Sequence, residues 1–214
     1  MKNITDIYEK YKIMPLLAMH QIRVAAVAMM ICDSLSVLID KDSIIKACLI
    51  HDIGNIIKFD LNHFPEHNEP QGIEYWEQVK NEYINKYGND EHVASVKIAK
   101  ELHVSQFIIE LVTSVNSSFI IEIRNGDDLA KKICNYADNR VTPHGVTSIK
   151  ERNLEAKERY KNHIRSFDDE SNNLFIFNME MIEKQIFYLS NIKPEDINDE
   201  SVSEYIEKVK NLEI

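Results

Sequence analysis

At 214 residues, with 44% hydrophobic and 28% charged side chains, the chain has the make-up of one globular domain and not of a disordered segment. Five Gly and five Pro are well below the ~12% average usage of the two residues, so few turns are available and long helices are favoured over a many-stranded sandwich. Twenty-five basic against 35 acidic residues give a net charge of −10, which excludes a surface built to coat nucleic acid and leaves room for a small phosphorylated ligand in a locally positive pocket.

The first strong pattern is Leu16, Leu17, His20, Val24, Val27, Ala28 and Ile31, whose three- and four-residue spacing marks a buried helix face. Asp40 or Asp42 can cap a second helix with Ile44, Ile45, Cys48, Leu49 and Asp52 on one stripe. Residues 59–72 break all periodicity and read as a loop, with His63 and His67 at its surface. A helix over 73–87 stops at Gly88. Asn89 or Asp90 caps the next, which runs to His103, and 105–115 is helical as well. After the Asn125-Gly126 turn, Asp127 can cap a helix from Leu129 to about Val141. A break at Pro143-His144-Gly145 follows. Ser148 and Glu151 form a capping box for a helix to about His163. The tail from Asp168 supplies one or two more helices, with Leu174–Phe177 compatible with either helix or strand. The expected fold is all-α, a single domain over 1–214, with a core at about 15–142 and a C-terminal helical extension at about 147–214.

Cys32, Cys48 and Cys134 are odd in number, widely spaced and set among apolar residues, so they read as reduced core thiols in a cytoplasmic protein. The polar start MKNITDIYEKYK is no signal peptide, and no apolar run approaches the ~20 residues of a membrane span. A soluble chain with no nucleic-acid and no membrane partner is the expectation, with a homodimer as one possible assembly.

Three residues on these stripes do not belong in a hydrocarbon core: His20, Asp52 and Asp138. A buried unpaired carboxylate costs several kcal/mol. A salt bridge or helix-end hydrogen bonds can compensate one Asp; two Asp with two His on helices that pack together favour a divalent cation. Imidazole and carboxylate donors suit Mn, Fe, Co, Ni or Zn, with Mg less comfortable on several His. The His51-Asp52 pair is followed by Ile53-Gly54 and preceded by the apolar run ACLI.

With His20 in MHQIRVAAVA, His51 and Asp52 in CLIHDIGN, and Asp138 in ICNYADNRV, the chain resembles the HD-domain superfamily of metal-dependent phosphohydrolases over roughly residues 15–142. The resemblance implies an all-α bundle, a divalent metal on those four residues, and hydrolysis of a nucleotide or related small phosphate ester. Many members read His-Asp-Ile-Gly-Lys; Asn55 stands in the Lys place here, where the 5′-deoxynucleotidase-like branch has a Glu. Asn55 cannot act as a base and is left to orient water or substrate. That branch also has an Asp nine residues after the motif His, which Asp60 matches, making it the expected general acid or water-orienting base. His92 stands where binuclear members keep a third His, as a ligand or substrate contact; the further His of those proteins is absent from the Val115–Ser118 region. Arg23, Lys58 and Arg140 are the expected phosphate contacts. His103 and His163 read as surface residues. Two rival readings use the same scaffold: a di-iron oxygenase, and a non-catalytic nucleotide-binding module.

Overall fold

The computed structural model describes residues 3–161, 163 and 168–214. Among these are eleven α-helices and no strand. The all-α expectation holds, and the four residues left open between helix and strand, Leu174–Phe177, are helical.

The polar residues that punctuate the sequence set most helix starts. α1 (Ile4–Lys10) was not expected from periodicity; Asn3 caps it by accepting from the Thr5 N–H. α2 (Pro15–Ser34) opens on Pro15, whose missing N–H is no loss at a first helical position. Asp40, the first of the two expected candidates, caps α3 (Lys41–Ile50). α4 (Ile73–Tyr87) ends at Gly88, whose φ of 97° only glycine adopts freely. Asp90 and Ser105 cap α5 (Glu91–Glu101) and α6 (Gln106–Ser114). A short α7 (Ile120–Asn125) precedes α8 (Leu129–Asp138), which Asp128 caps in place of the expected Asp127. The Ser148–Glu151 capping box opens α9 (Ile149–Arg159) as the sequence indicates. α10 (Asp169–Phe187) and α11 (Asp199–Lys210) complete the tail, capped by Asp168 and Asn198.

α2 is the axis of the bundle. It packs against α3, α8 and α11, and its buried residues lie all round it. That burial corrects one expectation. Pro15–Ser34 is long and apolar enough by itself to cross a membrane, but 67% of its apolar window is inside the protein and it carries a site histidine. A helix apolar on all faces belongs either in a membrane or in the centre of a bundle, and this one is enclosed by its neighbours. The buried apolar side chains, from Ile4 to Val209, form one continuous cluster, so the tail helices share the core.

The 59–72 segment also departs from a surface loop. It holds a short 3-10 helix at Pro65–Asn68, with Phe64, His67 and Asn68 buried. Asn68 donates to the Leu61 carbonyl and receives the Trp76 indole N–H on its own, which ties the segment to α4.

Candidate metal centre

Three helices deliver the site. His20 lies in the second turn of α2, Asp138 is the last residue of α8, and His51 is the C-cap of α3. α3 ends one residue before the His-Asp pair, so Asp52 sits in a turn and does not continue the helical stripe expected for it. The turn frees the pair from the 100° projection of neighbouring helical residues, and both side chains face the same point. Gln21 holds the turn in place: its side-chain carbonyl accepts the Asp52 N–H at 3.1 Å from a fully buried position on α2.

The four side chains converge. His20 Nε2 is 3.0 Å from Asp138 Oδ1, and His51 Nε2 is 3.4 Å from the same oxygen and 3.6 Å from Asp52 Oδ2. Ligand atoms of His20, His51 and Asp52 all lie within 4.8 Å of one another. With metal–ligand bonds of about 2.1 Å, neighbouring ligand atoms are about 3.0–3.5 Å apart in tetrahedral or octahedral shells, so the spacing fits one ion. A second observation is independent of spacing. His51 donates through Nδ1 to the Cys48 carbonyl at 2.8 Å, which fixes its tautomer, while its Nε2 is buried without a hydrogen-bond partner. A backbone-anchored imidazole with its other nitrogen left open is the usual form of a metal-binding histidine. Two imidazoles and two carboxylates suit a divalent cation, whose charge the carboxylates neutralise.

Metal-free, the same groups hold a proton. Burial alone would lower the His51 pKa, but the Asp52 and Asp138 carboxylates outweigh it and push it to about 9. Burial would likewise raise Asp138, and the His20 and His51 imidazoles beside it instead hold it well below the usual carboxylate range.

Gly54 explains why the motif needs a glycine. A Cβ there would lie 2.6 Å from the Glu91 carbonyl oxygen and 2.7 Å from the Ser95 N, both backbone atoms at the start of α5. The Gly54 N–H donates to the Ser95 hydroxyl at 3.0 Å. Gly54→Ala therefore forces α5 off the motif turn, and overpacking of this kind costs ~1–3 kcal/mol. Urea unfolding should register that loss; an unchanged midpoint would mean that α5 yields freely.

Around this centre the expected residues divide. Arg23, one turn after His20, donates to the Pro143 carbonyl at 3.1 Å and so borders the turn that follows Asp138. Asn55 is buried in the 3-10 helix Asn55–Lys58 directly after the motif. His92 lies in the first turn of α5, the turn that abuts Gly54, without a hydrogen bond to the four converging residues.

Two of the expected residues make other contacts. Arg140 is buried and its guanidinium is spent on the fold: it donates to Thr147 O, to the Tyr136 hydroxyl at 2.5 Å, to Pro194 O at 3.1 Å and to Ile197 O at 2.8 Å. It staples α8 to the tail, with four of its five N–H groups committed to these acceptors. Arg140→Met should lower unfolding stability by about 3 kcal/mol while metal content stays intact, as hydrogen bonds to a buried charge are worth ~1.5–3 kcal/mol each. Asp60 accepts from the N–H groups of Asn62 and His63, both at 3.1 Å, and its carboxylate is 46% exposed beside His163. It shapes a turn. With Lys58 it lines a cleft of about 480 Å³ against α4, to which none of the four converging residues contributes.

The site has a member that periodicity did not reveal. Gln21 is that residue, and the clue was a polar residue beside His20 in an otherwise apolar run. Outside the four converging residues, His67 is also buried: its ring is 4.7 Å from that of Phe59, and its Nδ1 lacks a hydrogen-bond partner.

The HD domain family model matches residues 17–168, more than half of the chain and all four converging residues. The chain belongs to the HD domain family. Neither the curated proteins nor the solved structures contain a match. HD domains bind divalent metals, and metal-dependent hydrolysis is the general activity of the family. The matched span also reaches past residue 142 and takes in α9.

Proposed function

We propose that the protein is a divalent-metal-dependent phosphohydrolase that acts on a nucleotide or a related small phosphate ester, as a single cytoplasmic folding unit. The observation that carries this reading is the buried, unpartnered His51 Nε2 at the meeting point of His20, Asp52 and Asp138. A bound divalent ion supplies Lewis acidity and a hydroxide-like water at neutral pH. The chain's part is to fix that chemistry in place. Asp52 and Asp138 offset the cation's charge, Cys48 and Gln21 orient the His51-Asp52 pair, and Arg23 offers a guanidinium at the rim for developing phosphoryl charge. Asn55 serves as a hydrogen-bonding group for water or substrate, and His92 as a contact from α5.

The test is a phosphate-release screen over nucleoside mono-, di- and triphosphates and nitrophenyl phosphate, with Mn, Co, Ni, Fe(II), Zn and Mg in turn. Release that needs metal and stops on chelation is the expected result. Tight metal binding without turnover on any substrate or metal would refute the reading.

A further inference from the structure

The chain has six arginines, and in a protein of net charge −10 three of the five that the structure describes gather on the turn after Asp138. Arg23 donates to Pro143 O, Arg140 to Thr147 O, and Arg152 of α9 to Val141 O at 2.8 Å. Arg159 stands two helical turns beyond Arg152 on the same face of α9. Glu155 lies between them, 3.5 Å from Arg152 Nη1 and 2.7 Å from Arg159 Nε. One carboxylate against two guanidinium groups leaves a surplus positive charge.

The end of α9 also docks on the 3-10 segment that carries His67. His63 Nε2 meets the Arg159 carbonyl oxygen at 3.2 Å, the Arg159 guanidinium lies 4.9 Å from the Tyr160 ring centroid and 5.8 Å from that of Phe64, and the Phe64 ring is 6.1 Å from the His67 ring. His67 is 4% exposed, and its Nδ1 finds only the Glu66 carboxylate, at 3.5 Å and outside hydrogen-bonding geometry. The 3-10 segment that carries His67 packs against α2, the helix that carries His20. A buried polar side chain without a partner is costly unless something else satisfies it.

We infer that His67 and Arg159 form an anion-binding rim beside the metal ligands, which holds a phosphate group of the substrate. The inference rests on the phosphohydrolase reading and supplies phosphate contacts in place of Arg140. Arg159 offers the planar donor fork that suits a phosphate, and the Phe64 and Tyr160 rings hold its plane. Glu155 occupies that fork and gives way to the incoming anion.

The Mn(II)-loaded full chain tests this with inorganic phosphate as the probe, by titration calorimetry, alongside KM for whichever phosphate ester is turned over. Arg159→Met should weaken phosphate binding and raise KM about tenfold or more with metal content unchanged, given the ~1.5–3 kcal/mol of a charged hydrogen bond. His67→Gln should act in the same direction. Glu155→Gln should tighten phosphate binding severalfold, because it removes the competing carboxylate; a purely structural ion pair would give no such gain. If Arg159→Met fails to fold, Glu155→Gln and Arg159→Lys decide the matter. Phosphate affinity and KM within about twofold of wild type across these variants would overturn the rim. Wild-type protein that hydrolyses esters with Arg159→Met unaltered removes the rim alone, whereas metal-loaded wild type that neither binds nor releases phosphate removes the parent reading with it.

Discussion

Asp52→Ala empties the metal site and lowers phosphate release by about 10³-fold or more. The size follows from what a bound cation does: several kcal/mol of charge stabilisation at the phosphoryl oxygens, at tenfold in rate for each ~1.4 kcal/mol. Asp52 is a cleaner probe than His51. His51 is buried and its ring also satisfies the Cys48 carbonyl, so removing it disturbs the end of α3 as well as the metal. Asp52 is partly exposed, and the contact that holds its turn, from its own N–H to Gln21, is a backbone donor that alanine retains. The variant should keep the circular dichroism of the wild type and lose the ion. Metal analysis of gel-filtered protein, read beside turnover, checks both halves. Full metal occupancy with full turnover in Asp52→Ala would exclude this carboxylate from the centre, and a folded variant that keeps the ion but loses turnover would move Asp52 from metal binding to catalysis.

The helices and the centre were legible in the sequence for one physical reason. A helix that must bury a stripe repeats it every three to four residues, and any His or Asp on such a stripe stands out because burial makes it expensive. His20 and Asp138 were found in this way, and Asp40, Asp90 and Ser148 announced helix starts through caps that need no tertiary contact. What the sequence hid depends on tertiary context. Arg140 resembles a free cation until α8 meets the Pro194–Ile197 segment, far along the chain. His67 lies in an aperiodic stretch whose burial comes from Phe59 and α4 and not from any repeat of its own. α1 and α7 are seven and six residues long, too short for a stripe to declare itself. Asp60 was proposed by a nine-residue interval shared with relatives, and an interval through an irregular loop does not fix where a carboxylate points.

The second large effect is a dependence of metal affinity on pH that runs against the stability of the metal-free protein. In the metal-free chain the Asp52 and Asp138 carboxylates hold a proton on His51 up to about pH 9, against an ordinary 6.5. The raised value fixes the sign. A group that binds its proton more tightly when folded adds stability that is complete below about pH 6.5 and is lost as pH rises through about 9. The metal-free protein should therefore weaken over this window. Asp138 does not counter the trend, because its pKa is held well below the usual carboxylate range and it is ionised throughout. A cation needs the neutral Nε2 of His51, so binding must expel the proton. Affinity should thus rise with pH over the same window by up to tenfold per unit, about 10²-fold from pH 6.5 to 8.5, and level off near 9. Mn(II) titrations at fixed ionic strength, in two buffers of different ionisation enthalpy, measure the affinity and the proton released. Thermal melts with excess chelator measure the opposing slope. An affinity flat from pH 6.5 to 8.5, with no proton released, would mean that the ion does not sit on His51.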